Sequence, residues 1–144
     1  MNKKILSKMV LTKGEDMSMS EVIHNKYYGL YFSAHWCGPC KKFTPLLKKR
    51  YNKMKKISDD FEVIFCSLDK NQKEFDEYYE MMPWKAFPFE SKTGEDLSKS
   101  YRVEFLPTLI LFNPQGEIIS QNAVKEFEDM NHKFPWESQN SKEV

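Results

Sequence analysis

Two cysteines separated by two residues are the part of this sequence best suited to chemistry. Cys37 and Cys40 lie within Trp36-Cys37-Gly38-Pro39-Cys40, between an aromatic and apolar run at 27–34 and a run with helical apolar spacing that extends to Ile57. This order puts Cys37 at a helix N-terminus, where unpaired N–H groups and the helix dipole favour a thiolate. The spacing therefore predicts dithiol–disulfide exchange, with Cys37 as the attacking thiol and Cys40 as the resolving thiol.

The neighbours of the two cysteines are predicted to shape the site. Pro39 falls just inside the helix start, where its missing N–H would be unpaired anyway, and Gly38 gives the loop room to turn. Trp36 would shield the pair and offer a flat contact for a partner chain. His35 is predicted to be an exposed loop residue, and as a cation it would favour the Cys37 thiolate.

The alternative for the motif is half of a zinc site, which needs two further ligands. The remaining candidates are Cys66, His24, His35 and His132, and the sequence has no second Cys-x-x-Cys and no His-x-x-x-His pair. We therefore expect redox chemistry without a bound metal or cofactor, with the Cys37–Cys40 disulfide as the redox group. Cys66 falls in a predicted core strand and is expected to be a small buried hydrophobe, with a regulatory thiol as the alternative.

Composition bounds the class of protein. The chain has 144 residues, 40% of them hydrophobic and 15% aromatic, which suffices for one core. Its 22 basic and 21 acidic residues leave a net charge of +1, so no global field attracts nucleic acid or membranes. A basic run at 48–56 is expected to be a solvated helix face, with docking of an acidic partner as the alternative.

No apolar run is long enough to span a bilayer, and residues 1–17 lack the pattern of a secretory signal. We therefore expect a cytoplasmic protein, with a nuclear location also compatible, and a monomer that binds neither membrane nor nucleic acid. A membrane-tethered or exported reductase would need an upstream apolar segment.

The predicted elements follow the order β–α–β–α–β–β–α. The first two strands should be parallel, because a helix joins them, and the last two should form an antiparallel hairpin around the turn at 113–116. The predicted ranges are strand 27–34, helix to 57, strand 61–68, helix 72–82 capped by Asp69 or Asn71, helix 95–101, strand 108–112, strand 117–120 and helix 122–131. Residues 1–20 are predicted to be a flexible lead-in, 21–137 the folded domain and 138–144 a polar tail.

The motif and two other segments resemble thioredoxin. Residues 32–41 (FSAHWCGPCK) resemble its active-site segment, and Pro45 matches its helix proline five residues past the second cysteine. Leu106-Pro107-Thr108 resembles the loop that holds a cis-proline opposite the cysteines, which in that family blocks metal binding and positions substrate backbone. The resemblance implies an α/β thioredoxin fold, a mixed central sheet with helices on both faces, and adds Leu106 and Pro107 to the site.

A more specific resemblance, over roughly residues 27–137, is to the tryparedoxin and nucleoredoxin branch. It rests on segments that include YFSA at 31–34, FTP at 43–45, MPW at 82–84, PF at 88–89 and FPW at 134–136. The branch usually has WCPPC, whereas this chain has WCGPC. The buried aspartate that thioredoxins carry six residues before the first cysteine is Tyr31 here, as is usual in the branch, which leaves the proton relay of Cys40 to water or Asp69.

Tryparedoxins contact a polyamine–glutathione reductant at positions where this chain has Leu68, Lys70, Asn122 and Val124, so the resemblance does not fix the reductant. The sequence as a whole predicts a reductase of protein or small-molecule disulfides. The expected partners are disulfide-containing proteins, peroxiredoxins by resemblance, and an upstream flavoprotein reductase or glutathione-type thiol. The alternative is a redox-dependent interaction module of the nucleoredoxin kind, in which turnover is incidental.

Overall fold

A five-stranded mixed sheet forms the centre of the computed structural model, which describes residues 6–11 and 15–129. Two short strands precede it, β1 (Met9–Val10) and β2 (Met17–Ser18). The sheet strands are β3 (Tyr27–Ser33), β4 (Phe61–Ser67), β5 (Lys85–Ala86), β6 (Thr108–Phe112) and β7 (Ile118–Ser120), in the spatial order β5–β4–β3–β6–β7. β3 pairs parallel with β4 and antiparallel with β6, and β6 pairs antiparallel with β7, which confirms the predicted topology.

In the described residues, five α-helices lie between these strands or follow the last of them. They are α1 (Met19–Val22), α2 (Gly38–Ile57), α3 (Gln72–Tyr79), α4 (Thr93–Ser100) and α5 (Val124–Glu128), with a 3₁₀ turn at Phe89–Ser91. α2 ends at the predicted residue, and Asn71 caps α3 by accepting a hydrogen bond from the N–H of Glu74. α3 is shorter than predicted because Met81 and Met82 turn back onto the carbonyls of Tyr78 and Tyr79.

Apolar side chains cover both faces of the sheet, because β3, β4 and β6 are apolar on both sides. On one face, α2, α3 and α5 contribute Phe43, Leu47, Phe75, Tyr78 and Phe127 to a large aromatic core. On the other face, α1 and α4 contribute Met19, Val22 and Leu97. The strands that carry the site are therefore held between two packed layers, which fixes the position of the loops at their ends.

The N-terminal part of the chain differs from the predicted flexible lead-in wherever the structure describes it. β1 and β2 pair antiparallel, and Leu11 exchanges backbone hydrogen bonds with Ala86 of β5. Val10 and Met19 are completely buried. Isolated apolar residues in a polar stretch have no period, so no local pattern in the sequence predicts this packing. The predicted domain end at 137 and the polar tail 138–144 lie outside the described residues.

Candidate active site

Cys37 and Cys40 lie at the start of α2, just after the end of β3. Cys37 is the N-cap of α2, its N–H donates to the Ala34 carbonyl, and its Sγ accepts a hydrogen bond of 3.3 Å from the Cys40 N–H. A disulfide joins the two residues, whose Cα atoms are 5.2 Å apart. Cys37 is 6% exposed and Cys40 is completely buried. Only Cys37 can therefore meet a partner sulfur, and a thiolate at its position accepts an N–H at the helix N-terminus.

Three apolar residues from separate loops surround the disulfide. Ala34, Leu68 and Leu106 pack against the two cysteines, and the Leu106–Pro107 peptide bond is cis. A groove of about 240 Å³ extends from this point and is lined by Trp36, Leu68, Ser98, Val103, Glu104, Phe105 and Leu106. Trp36 and Phe105 are 50% and 65% exposed. The groove shares Leu68 and Leu106 with the surroundings of the disulfide, so the disulfide lies beside an open and largely apolar groove.

Trp36 is fixed over the end of β4 despite its exposure. Its indole Nε1 donates a 2.9 Å hydrogen bond to the Leu68 carbonyl, and the Lys70 ammonium lies 5.8 Å from the centre of its ring. Gly38 and Pro39 are exposed in the first turn of α2. A Cβ at Gly38 would meet nothing within 4 Å, so the predicted need for glycine at this turn is not apparent.

Asp69 connects the loop after β4 to the loop after β3. Its Oδ1 accepts a 2.6 Å hydrogen bond from the His35 N–H, and its Oδ2 accepts one of 2.6 Å from the Ser67 hydroxyl. Burial raises the pKa of the Asp69 carboxyl above its ordinary value. Among the residues that the structure describes, no cation pairs with it. His35 is half-buried rather than exposed, and its ring meets the Tyr78 ring edge-on at 5.9 Å.

Four buried hydroxyls lie under the disulfide. Thr44 Oγ1 donates to the Cys40 carbonyl at 2.8 Å and is hydrogen-bonded to the hydroxyls of Tyr31 at 2.7 Å and Tyr78 at 2.6 Å. Ser33 Oγ lies 2.6 Å from the Tyr78 hydroxyl. Each hydroxyl has one proton, so the consistent arrangement is donation from Ser33 to Tyr78 to Thr44 to the Cys40 carbonyl, with Tyr31 also donating to Thr44.

The sequence does not predict this hydroxyl network (Tyr31, Ser33, Thr44 and Tyr78). Tyr31 stands at the position of the thioredoxin aspartate, and no local pattern marks Tyr78 as part of a polar site. The available signal was Thr44, a polar residue between Phe43 and Leu47 on the buried face of α2. A threonine at a core position needs a partner for its hydroxyl, which points to a buried polar cluster.

Two residues considered in the sequence lie away from the site. Trp84, of the MPW segment at 82–84, is completely buried in the aromatic core, 5.9 Å from the Tyr31 ring, and does not line the groove beside the disulfide. Cys66 is completely buried in β4, and burial raises the pKa of its thiol. Over the described residues, no three His, Cys, Asp or Glu side chains are grouped so as to hold a metal ion. In that same part of the chain, no helix combines the length and apolarity that crossing a membrane requires.

Comparison with known proteins agrees with this geometry. The Thioredoxin-like family profile matches residues 25–118. Tryparedoxin from Trypanosoma brucei brucei is 40% identical over 131 residues, covering 88% of this chain and 90% of that protein. Nucleoredoxin from Mus musculus is 36% identical over 135 residues, covering 92% of this chain. The chain spans about a third of the length of that nucleoredoxin, 31%.

Solved structures give the same result. Tryparedoxin from Trypanosoma brucei superposes with a TM-score of 0.81 at 37% identity, covering 93% of this chain and 96% of that one. Tryparedoxin II complexed with glutathionylspermidine superposes with a TM-score of 0.82 at 35% identity and the same coverage.

A mixed five-stranded sheet with a WCxxC motif at the N-terminus of its long helix defines the thioredoxin fold, and this chain belongs to the Thioredoxin-like family. Its relatives place it in the tryparedoxin and nucleoredoxin branch.

Proposed function

We propose that this protein reduces disulfides of proteins or small molecules through a Cys37/Cys40 dithiol–disulfide cycle. The observation that carries the proposal is the asymmetry of the pair. Cys37 caps α2, where a thiolate is stabilised, and is 6% exposed, while Cys40 lies completely buried one turn behind it. An activated sulfur with a small accessible area next to a fully shielded one is the arrangement that an attacking and a resolving thiol need.

The reduction of one disulfide takes two thiol–disulfide exchange steps. The Cys37 thiolate attacks one sulfur of the substrate disulfide, that S–S bond breaks, and the leaving sulfur takes up a proton. Cys40 then loses its proton and attacks Cys37 Sγ, which breaks the mixed disulfide and releases the second substrate thiol. The substrate gains two electrons and the protein holds the Cys37–Cys40 disulfide. An external dithiol or flavoprotein reductase returns the protein to its reduced form.

We propose that the Asp69 carboxylate accepts the proton that Cys40 must lose. Its carboxylate is buried, hydrogen-bonded to the backbone of His35 next to the motif, and unpaired with any cation in the described residues. A carboxyl whose pKa is raised by burial exchanges protons nearer to neutral pH than an exposed one. His35 and the hydroxyl network hold the loops around it, which makes them positioning residues.

Insulin reduction driven by dithiothreitol tests the reaction. We expect wild-type protein to accelerate insulin precipitation, Cys37→Ser to be inactive, and Cys40→Ser to accumulate a covalent complex that non-reducing electrophoresis detects. Cys66→Ser is the matched control, because Cys66 is buried away from the site and should leave the rate unchanged. Equal rates for wild type and Cys37→Ser would contradict the proposal.

A second candidate is a redox-dependent interaction module. The observation that favours it is the apolar groove beside the disulfide, where Trp36 and Phe105 remain largely exposed. In that case one redox form binds a partner and turnover is incidental. The Cys40→Ser variant separates the two functions, since a reductase traps many different substrates covalently whereas an interaction module traps none.

The reductant is a further part of the proposal. Two classes fit the chemistry, a flavoprotein reductase or a glutathione-type thiol, and the solved complex of tryparedoxin II holds glutathionylspermidine. Reduction of the oxidised protein by thioredoxin reductase with NADPH, by glutathione and by trypanothione, followed by tryptophan fluorescence, ranks the three. We propose peroxiredoxins among the downstream substrates.

A further inference from the structure

The distribution of charge along α2 is unlike that of the rest of the chain. α2 carries eight basic residues and no acidic one. The other 124 residues therefore carry 14 basic and 21 acidic residues, a net charge of −7. The near-neutral net charge of the chain therefore combines a strongly basic helix with an acidic remainder. The electrostatic field near α2 is opposite in sign to the field near the other residues.

Six of these basic residues form a single surface, the lysine face of α2. They are exposed, and none pairs with a carboxylate in the described part of the chain. The lysine face consists of Lys41, Lys42, Lys48, Lys49, Lys53 and Lys56. At about 100° per residue these positions fall within an arc of about 140°, and at about 1.5 Å per residue they extend over about 22 Å.

The lysine face is unfavourable for the helix itself. Lys41 and Lys42 lie near the N-terminus, where the dipole disfavours positive charge, and only Lys56 gains from the C-terminal dipole. Lys49 and Lys53 lie four residues apart, a spacing at which like charges repel. Lys55 shows the contrast, since it lies about 20° outside this arc and pairs with Glu62. The face therefore presents charge that only an external partner can neutralise.

One edge of the lysine face runs toward the attacking sulfur. Continuing the helix back by one turn, Cys37 falls about 40° from Lys41 and about 20° beyond the edge of the lysine face, whereas Cys40 falls about 100° from Lys41. The N–H of Lys41 donates to the Cys37 carbonyl. A chain that follows the lysines toward the helix N-terminus therefore arrives at Cys37.

We propose that the lysine face of α2 is an electrostatic docking surface for acidic protein substrates, which it delivers to Cys37 with their disulfide in reach. The inference rests on the proposed reductase function and names its substrate class. An acidic protein fits better than nucleic acid, because the net charge of −7 on the remaining residues repels an extended polyanion. The face also has no exposed aromatic residue for stacking on bases.

The test uses one synthetic disulfide-bridged peptide in three versions, with four Asp, four Asn or four Lys beside its cysteines. We expect wild type to reduce the Asp peptide with the highest kcat/KM and the Lys peptide with the lowest at low ionic strength. The triple variant Lys48→Gln/Lys49→Gln/Lys53→Gln should lose about ten-fold in kcat/KM for the Asp peptide, with kcat unchanged. Its rate with the Asn peptide should stay the same, because these three lysines are remote from Cys37.

The matched control removes three exposed lysines elsewhere, in the variant Lys8→Gln/Lys73→Gln/Lys125→Gln. An equal loss in the control, an equal loss with the Asn peptide, or equal rates of wild type with all three peptides would overturn the proposal. Raising the salt to about 0.3 M should bring the wild-type and triple-variant rates for the Asp peptide together, since screening shortens the range of the field.

A binding measurement separates docking from turnover. Fluorescence anisotropy of labelled Asp and Lys peptides with the oxidised wild type and the two triple variants reports docking without any reduction. If wild type fails to reduce even the Asn peptide, the reductase function is wrong, and the anisotropy still decides whether acidic chains dock. If a 20-base-pair DNA duplex binds more tightly than the Asp peptide, the occupant of the lysine face is nucleic acid and the proposal of an acidic protein is wrong.

Discussion

Two buried carboxylates at opposite ends of β4 have contrasting surroundings. Glu62, near the start of the strand, is 2% exposed and its carboxylate lies 2.7 Å from the Lys55 ammonium, 3.5 Å from that of Lys85 and 3.8 Å from that of Lys26. Asp69, two residues beyond the end of the strand, is 9% exposed and accepts hydrogen bonds from the His35 N–H and the Ser67 hydroxyl.

These surroundings suit Glu62 to stabilising the fold and Asp69 to exchanging a proton. The three ammonium groups compensate the charge of Glu62, so this carboxylate holds α2, β4 and β5 together. No cation does the same for Asp69 within the described residues, and burial raises its pKa. A buried carboxyl without a counter-ion, hydrogen-bonded to the backbone two residues before Cys37, is the one suited to exchange a proton.

Removing Glu62 should produce the largest change in stability. Glu62→Ala leaves three ammonium groups without their shared partner and the Tyr51 hydroxyl without its acceptor. We expect the free energy of unfolding, measured by urea denaturation, to fall by about 2–3 kcal/mol, below the usual range for a fully buried pair because the lysines are partly exposed. Insulin reduction per folded molecule should be unchanged. A loss of activity with intact stability would contradict the division between the two ends.

Replacing Asp69 should act on the rate instead. Asp69→Asn keeps the size of the side chain and removes the group proposed to take the Cys40 proton. We expect the rate of mixed-disulfide resolution, followed by stopped-flow tryptophan fluorescence, to fall by about 10–100-fold. The loss should shrink above the ordinary pKa of a thiol, about 8.5, where Cys40 ionises without help. A pH-independent loss would show that Asp69 only positions the loop.

Tyr78 of the hydroxyl network and Tyr28, which packs on the opposite face of the sheet, form a matched pair of buried tyrosines. Tyr78→Phe removes the link between Ser33 and Thr44, and we expect a loss of about 1–2 kcal/mol in the free energy of unfolding. Tyr28→Phe removes a buried hydroxyl that has no hydrogen-bond partner in the described residues, so its effect should stay within about 0.5 kcal/mol. Equal losses in thermal or urea denaturation would mean that the network adds nothing.

The smallest expected effect is a difference in pH dependence. The folded-state pKa of Asp69 is raised, so the folded protein binds its proton more tightly and the stability of wild type relative to Asp69→Asn should fall as pH rises from about 4 through that raised pKa. The pKa of Asp59 is lowered by its hydrogen bond to Lys55. The stability of wild type relative to Asp59→Asn should therefore rise as pH increases through that lowered pKa to about 4. Urea denaturation from about pH 2.5 to 7 checks both signs, and slopes of the same sign in the two windows would contradict them.

The sequence predicted the parts of the fold that repeat a pattern. β3, β4 and β6 are long apolar runs, and α2 has a helical period of buried residues, so their positions and connections followed directly. β1, β2 and β5 are two residues long and have no period. They exist because tertiary neighbours supply their hydrogen bonds, which no local pattern records.

The candidate site divides in the same way. Sequence motifs predict part of the site: the disulfide, the Trp36 side chain and the cis Leu106–Pro107 bond. The resemblance of these motifs to a known family also predicts that they lie together in one site. The hydroxyl network joins residues up to 45 positions apart, and each of its members looks like an ordinary core residue when taken alone. The contact between His35 and Asp69 likewise depends on the alignment of two strands.

That alignment has a consequence for how the chain tolerates insertions and deletions. β3 and β4 are both seven residues long and pair without a shift, from Tyr27 opposite Phe61 to Ser33 opposite Ser67. His35 and Asp69 each lie two residues beyond these paired ends. One added residue in either strand would move its loop by about 3.3 Å and turn every following side chain to the opposite face. A lengthened turn at 113–116 touches neither strand, so it should be tolerated where a single insertion in β3 or β4 is not.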